Sequence, residues 1–485
     1  MSGVSAEQTM GVFYKARVED VMSAAAVTTD PDASAREMAL LMRENQLGAL
    51  VVVEEDEQPI GIVTERDLVY KVLADGEFDL CARNIMSSPP ITISPEDHLY
   101  QAMYLMMRHR VRRLVVVDSL GRLAGFLSIR DLVRLEGYEG QVITNRIGKA
   151  ADVESLCDTR SDIDTFIRKL YLGDVDGRSL CELLTDYNDA LTRRIIALVQ
   201  QRLRSEMRRP AVGFAWVCFG SEGRREQVLR GDQDNGIIIA DDADEEALAY
   251  YRRMAAEANE DLDRCGFDLC QGGVMAREDK YFGTLSEWKE RVYRMIHGLE
   301  DGTLLRDLTI FLDLRRVDGD RTLVDQLWDY ALTELESSPF AVRALADDAV
   351  AKPVPINFLG RLQYEKSPAG KKGINIKRYG LLPLIAAVKV LAVDEGIRLT
   401  ATAERIRALQ EAQALEKDTA EELILADELL LKLKVQESLK EVFHGQSDQY
   451  FVFPEEWTEW ERQSLKRAFK AIDHLEGVLR FRFHL

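Results

Sequence analysis

At 485 residues the chain is too long for one hydrophobic core and suggests about three domains of ordinary size. Its 83 acidic against 63 basic residues leave a net charge of −20, which argues against a broad nucleic-acid surface, because such surfaces gather Lys and Arg to release counterions. Any contact with nucleic acid would have to be local.

The opening residues, MSGVSAEQTMGVFYK, carry no basic segment followed by an apolar one, and the longest apolar run, GLLPLIAAVKVLAV, is interrupted by Pro383 and Lys389. The expectation is a soluble cytoplasmic protein without a membrane partner. Six cysteines (Cys81, Cys157, Cys181, Cys218, Cys265 and Cys270) form no C-x-x-C pair, which argues against a zinc site or a disulfide framework and for reduced core residues.

After a tail of residues 1–14, the chain repeats itself through residue 136. EDVM at 19–22 recurs as RNIM at 83–86, LVVVE at 50–54 as LVVVD at 114–118, and GIVTERD at 61–67 as GFLSIRD at 125–131, each at an offset of 64 residues. Each copy reads as a helix with Met38, Leu41 and Met42 at helical spacing in the first, then a buried strand, a turn, a second strand, and a helix opened at the Thr or Ser. Two such units cover one another's apolar faces.

Over residues 15–136 this repeat resembles a tandem pair of cystathionine beta-synthase (CBS) domains, the adenine-nucleotide-sensing arrangement called a Bateman module. The marker G-x-x-[TS]-x-x-D is matched by Gly61, Thr64 and Asp67 and again by Gly125, Ser128 and Asp131. The resemblance implies an adenine nucleotide (AMP, ADP or ATP) as regulatory ligand at Thr64, Asp67, Ser128 and Asp131, and a homodimer through side-by-side CBS modules. A carboxylate can accept two hydrogen bonds from a ribose diol, while the hydroxyl and the helix start receive phosphate. The competing reading makes Thr64 and Ser128 helix caps and the aspartates first-turn acids that complement the helix dipole. The second copy also carries RHRVRR at 108–113 where the first has ENQLGA, either a phosphate contact or a solvated basic edge.

Residues 137–208 read as a helical connector, with Ile163, Phe166, Ile167 and Leu170 at i, i+3, i+4 and i+7, and a rigid spacer is the role expected of it. After Pro210, VGFAWVCFGS is an apolar β-rich run ending at Gly220 and Ser221; a polar helix start follows, then DQDNGIIIA, in which Ile237 to Ile239 make a buried strand. Residues two apart in an extended chain share a face, so Asp232 and Asp234 project together while Gln233 points away. Two carboxylates held that close repel unless a cation lies between them. Mg²⁺ meets this need with one or two carboxylates plus substrate phosphate oxygens, and two-metal sites set the ions about 3.5 to 4 Å apart. Gly220 lets backbone N–H groups approach a triphosphate, Ser221 and the helix start can hold its oxygens, and Arg224 can neutralise developing phosphate charge.

Gly-Ser followed by Asp-x-Asp is similar to the signature of the DNA polymerase beta-like nucleotidyltransferase superfamily. GSEGRREQ...DQDN resembles more closely a bacterial family of signal-transducing nucleotidyltransferases related to PII uridylyltransferase, in which CBS domains commonly sit upstream. The resemblance implies an NTP donor, a two-metal Mg²⁺ site at Asp232 and Asp234, and a third carboxylate from a later strand. Asp313 in LTIFLDLRRVDGD is the leading candidate, because Asp313 and Arg315 share one face of an apolar strand; Asp268 in CGFDLCQGGVMA is the alternative, and a strand-end salt bridge is the competing role for Asp313.

The fold class expected is therefore multidomain α/β: the tandem CBS module, the helical connector, a polymerase-beta-like nucleotidyltransferase domain at 209–339, and a helical domain at 340–485 that resembles the family's substrate-binding domain. Within the last, GKKGINIKRYGLLP concentrates Lys371, Lys372, Lys377 and Arg378, suited to a donor triphosphate or an acidic acceptor, with Lys377 expected on donor phosphate; a solvated basic loop is the alternative. The family pattern usually places Asp where Asn375 stands. No HD dipeptide occurs and only six histidines are present, which argues against the built-in hydrolase of PII uridylyltransferase.

Two functions from different classes follow. One is a Mg²⁺-dependent nucleotidyltransferase moving an NMP from an NTP to a protein or small-molecule acceptor, as in PII uridylylation or adenylylation, under control of an adenine nucleotide. The other is a catalytically silent, nucleotide-sensing signalling adaptor; Asp313 aimed away from the Gly-Ser turn would favour it. A tRNA- or DNA-polymerising enzyme conflicts with the acidic charge.

Overall fold

A computed structural model describes residues 17–485 except 24–25, 46, 55–57, 74–78, 110, 129–138, 173–174, 230, 300–301, 352–353, 357–361, 369 and 446–449. The N-terminal tail, Asp131 and part of the 108–113 basic run thus lie outside the described residues. The chain divides into two compact units, Met1–Val142 with Gly173–Val175, and Ile143–Leu172 with Asp176–Leu485.

In the first unit each repeat builds a three-stranded sheet. β1 (Thr28–Thr29) runs parallel to β2 (Ala49–Val53), which pairs antiparallel with β3 (Pro59–Thr64). The second copy does the same with β4 (Thr92–Ile93), β5 (Arg113–Val117) and β6 (Leu123–Ser128). Met38 and Met42 of the Ala35–Glu44 helix pack on Leu50, Val52 and Val63, and Ala82 and Ile85 complete that core. The copies exchange segments. Ser23 bridges Phe126 of the second copy while Ser87 bridges Ile62 of the first. A Cβ on Gly61 would lie 2.4 Å from Met86 Sδ, and one on Gly125 would lie 3.0 Å from Met22 Sδ. The marker glycines therefore make room for the methionines of EDVM and RNIM.

In the second unit, β7 (Phe214–Cys218), β8 (Asn235–Ile239), β9 (Phe282–Thr284) and β10 (Arg315–Gly319) form one sheet of order β10-β7-β8-β9, antiparallel except for β8 with β9. β7 and β8 are buried along their whole length, as their continuous apolar runs require. The helices Val153–Leu172 and Gly177–Leu203, expected as a spacer, are instead part of this unit. Arg315 grips Asp189 with two hydrogen bonds of 2.7 and 2.9 Å, and Asn188 donates to Gln227 at 2.9 Å.

The C-terminal region is helical as expected, with helices Pro339–Val350, Leu382–Asp394, Thr402–Glu411, Lys417–His444 and Glu459–Phe483. It also holds a ribbon absent from the sequence reading, β11 (Glu365–Lys366), β12 (Lys372–Asn375) and β13 (Phe451–Val452), all antiparallel. The basic segment is thus a strand and helix start rather than a loop. Among the described residues no helix is long and apolar enough to cross a membrane. The thiols of Cys157 and Cys265 lie 2.6 Å apart; Cys181, Cys218 and Cys265 are buried, and the other three cysteines half-buried.

Candidate active site

β7 ends at Cys218, and the chain turns through Gly220 at φ +54° into the single-turn helix Gly220–Gly223. This left-handed backbone suits glycine, and a Cβ there would lie 2.7 Å from Asp234 Oδ2. The Asp234 carboxylate therefore lies against the Gly-Ser turn. The Asp234 carbonyl accepts from Phe219 N–H at 2.8 Å, which ties the acidic pair to the end of β7.

Burial varies across the segment that leads into β8: Gln233 is buried and donates to the carbonyls of Asn259 and Phe267, both at 2.9 Å, while Asp232 is exposed and Asp234 half-buried. Burial pushes the Asp234 carboxyl up to about 6; the Cys270 thiol, which donates to its Oδ1 at 3.6 Å, opposes this, Asp232 reinforces it, and Arg224 and Lys377 pull back. Asp268 stands in parallel register with Asp232, and its carbonyl accepts from Gln233 N–H at 2.9 Å.

Asp313 is a correction. It lies in the turn between the Gly302–Phe311 helix and β10, outside the strand that was to aim it, and is 1% exposed. Its oxygens accept from Arg224 Nη1 at 2.6 Å, Lys389 Nζ at 2.7 Å and Arg405 Nη1 at 3.0 Å. Burial alone would raise its pKa, but Lys389, Arg224 and Arg405 outweigh burial and hold the carboxyl down at about 2. A buried carboxylate already neutralised by three cations does not fit as a metal ligand.

Arg224 is corrected for the same reason. It is 9% exposed, bonded to Glu226 at 2.8 Å as well as to Asp313, and so is withheld from substrate phosphate; its charge still lowers the carboxyl of Asp234. The signature loop is also pinned from the C-terminal region. Thr400 Oγ1 donates to the Gly223 carbonyl at 2.8 Å, Thr402 N–H to Glu226 Oε1 at 3.1 Å, and Lys434 Nζ to the Glu226 carbonyl at 2.7 Å.

Sequence reasoning missed Glu222, which is buried in the single-turn helix after β7. Burial pushes its carboxyl up to about 8, with Asp189 adding to the rise and Arg315 opposing it. Cys270 was singled out only as a core thiol. Both are placed by contacts across the fold, which local spacing does not carry.

Lys377 is exposed, its ammonium 5.0 Å from the centre of the Tyr450 ring, and its charge acts on Asp234. Ser221 is half-buried at the turn. Among the described residues no group of three or more His, Cys, Asp or Glu side chains is gathered to hold a metal ion. The donors present, Asp232 and Asp234, fit one Mg²⁺ completed by phosphate oxygens and water, which is how Mg²⁺ is commonly bound. They do not make the two-metal cage that needed Asp313.

In the first unit Asp67 is engaged locally. Thr64 Oγ1 donates to Asp67 Oδ2 at 2.6 Å, Asp67 N–H donates back to Thr64 Oγ1 at 3.3 Å, and Lys71 pairs with Asp67 at 2.9 Å. This is the capping arrangement of the competing reading. Ser128 closes β6. A separate cavity of about 720 Å³, lined among others by Lys280, Arg291, Arg294 and His297, includes no residue of the signature.

Residues 161–301 match the family described as "Putative nucleotidyltransferase DUF294", and residues 339–483 match "Putative nucleotidyltransferase substrate binding domain". Residues 18–74 and 82–137 each match the CBS domain. The uncharacterized protein MK0525 of Methanopyrus kandleri is 35% identical over 185 residues, covering 35% of this chain and 89% of its own length. The CBS domain-containing protein YhcV of Bacillus subtilis is 32% identical over 116 residues, 24% of this chain and 81% of that protein. Among solved structures, the CBS domain protein PAE2072 from Pyrobaculum aerophilum complexed with AMP shares 34% identity over 24% of this chain and 89% of that one, with a TM-score of 0.23.

Proposed function

Because this chain belongs to the CBS-domain-containing nucleotidyltransferases, with a DUF294 domain followed by its substrate-binding domain, we propose that it moves a nucleoside monophosphate from an NTP to a hydroxyl of a protein or small-molecule acceptor. The observation that carries this reading is the carboxylate of Asp234, which lies against a left-handed Gly220 that nothing larger could replace without meeting it, with the exposed Asp232 two residues before.

In the reaction the acceptor hydroxyl gives up its proton to solvent as its oxygen bonds to the α-phosphorus of the donor and the bond to pyrophosphate breaks, pyrophosphate leaving with the electron pair. Asp232 and Asp234 would hold Mg²⁺, which when bound neutralises phosphate charge and orients the leaving group. The Gly220–Ser221 turn receives phosphate oxygens, and Lys377 supplies an exposed cation on the open side. Arg224, itself buried, offsets at Asp234 the repulsion from Asp232. A protein acceptor of the PII kind, uridylylated or adenylylated, is the substrate class suggested by the signature. The CBS pair is proposed to bind an adenine nucleotide, with Asp67 exchanging its Thr64 and Lys71 contacts for a ribose diol, and to join two copies as a homodimer.

Incubation with Mg²⁺, labelled NTPs and a cell lysate tests the reading. Label is expected on one acceptor with the wild-type chain and is expected to be lost in Asp232→Asn and Asp234→Asn; labelling that survives both changes removes the proposed site. The caging of Asp313 favours the second reading, a silent nucleotide-sensing adaptor. In that case NTP binds but no label transfers from any of the four common NTPs.

A further inference from the structure

Flanking the β12–β13 ribbon, three cations lie over aromatic rings. Lys371 lies 5.3 Å from the Phe453 ring centre, Lys377 5.0 Å from that of Tyr450, and Arg378 5.2 Å from that of Tyr379. All three cations are exposed, in a chain whose net charge is −20. The ribbon holds them by register, with Ile374 opposite Val452 and Asn375 opposite Phe451. Ile376 N–H continues the pairing by donating to the Tyr450 carbonyl at 3.0 Å. Tyr450 has φ +67°, a left-handed conformation that a bulky residue keeps only when its surroundings impose it.

The segment that carries Lys377 reaches the signature loop through one helix: a Cβ on Gly380 would lie 2.8 Å from Leu430 of Lys417–His444, and Lys434 of the same helix donates to the Glu226 carbonyl at 2.7 Å. In keeping with that placement, the charge of Lys377 is felt at Asp234 and that of Asp232 at the Tyr450 phenol. A nucleotide presents an anionic chain at one end and a π-face at the other. Cations complement the first and aromatic rings the second.

We propose that Tyr450 is the base-facing residue of the donor site and Lys377 the cation linking that base to its triphosphate, both delivered from the C-terminal region; the inference rests on the transferase reading above. The donor's phosphates lie along the Gly220–Ser221 turn and its base lies against the Tyr450 ring. Stacking of this kind tolerates any base, so Tyr450 supplies affinity rather than base choice.

Photo-crosslinking of the full chain with 4-thio-UTP and Mg²⁺, followed by peptide mapping, locates the base, and fluorescent UTP titration measures affinity. Expected is a crosslink in the peptide containing Tyr450, with binding weakened about tenfold in Tyr450→Leu and in Lys377→Ala. Tyr450→Phe, which keeps the ring, is expected to bind like wild type. Lys289→Ala, which breaks a cation–ring pair with Tyr330 outside the ribbon, is expected to change nothing. Far-UV circular dichroism and melting temperature establish that each variant is folded. Binding that is lost in Asp234→Asn yet untouched in both Tyr450→Leu and Lys377→Ala, with the crosslink elsewhere, overturns the inference and leaves the transferase reading standing. A folded wild-type chain that binds no NTP overturns both.

Discussion

Asp313 supports three positive charges that have no water to turn to, and its removal is a question of stability before it is one of chemistry. Burial pushes Lys389 down to about 8 in spite of Asp313, with Arg224 and Arg405 adding to the push, so the cations repel once the anion is gone. Asp313→Asn is expected to cost about 3–5 kcal/mol in urea unfolding, and Lys389→Met in the same chain to recover part of it. The carboxyl sits at about 2 when folded against an ordinary 3.8. Its contribution is therefore complete above about pH 4 and disappears as pH falls through 2, so the Asn variant should show a shallower loss of stability over that window. Glu222 has the opposite sign, raised to about 8 from an ordinary 4.5. Wild type should lose stability from this group as pH climbs from 4.5 towards 8, whereas Glu222→Gln, which imitates the protonated acid, should not; unfolding at pH 5 and pH 8 reads the difference. The sequence exposes Asp313 as an acid in an apolar run, but its partners Lys389 and Arg405 stand 76 and 92 residues away on helices with no local link to it. The opposite case is the Gly-Ser turn and Asp234, which the sequence places at the end of β7 and the start of β8 and the structure brings together.

At the scale of elements, the turn after β7 is held by its glycines. A Cβ on Gly223 would lie 1.9 Å from the carbonyl oxygen of Asp313, a backbone atom that no rotamer change can move. Gly223→Ala is expected to lower stability by about 1–3 kcal/mol in thermal unfolding, because the turn and the Asp313 segment must part. The β7–turn–β8 order was legible because its runs are long, continuous and bounded by turn residues. The β11–β13 ribbon was not, since strands of two to four residues carry too little alternation to register, and β12 pairs across 76 residues with β13. The Gly177–Leu203 helix was legible as a helix and illegible as a partner. Asp189 and Asn188, which join it to Arg315 and Gln227, are polar residues that periodicity assigns to solvent.

For the whole molecule, the two compact units differ in how far their sequences announced them. The repeat was plain from its 64-residue offset, yet the offset did not say that the copies trade segments. The core of the first copy closes with Ala82 and Ile85, and Gly61 is covered by Met86, all beyond its own last strand. Residues 1–80 alone are therefore expected to be unfolded by circular dichroism, whereas residues 1–137 are expected to fold. The second copy in turn is roofed by Met22 from the start of the chain. Duplication here has produced an interlocked pair in which each copy's marker glycine is covered by a methionine of the other. A small molecule that displaced β3 would press on Met86 of the other copy, so its effect is expected to be felt across the pair.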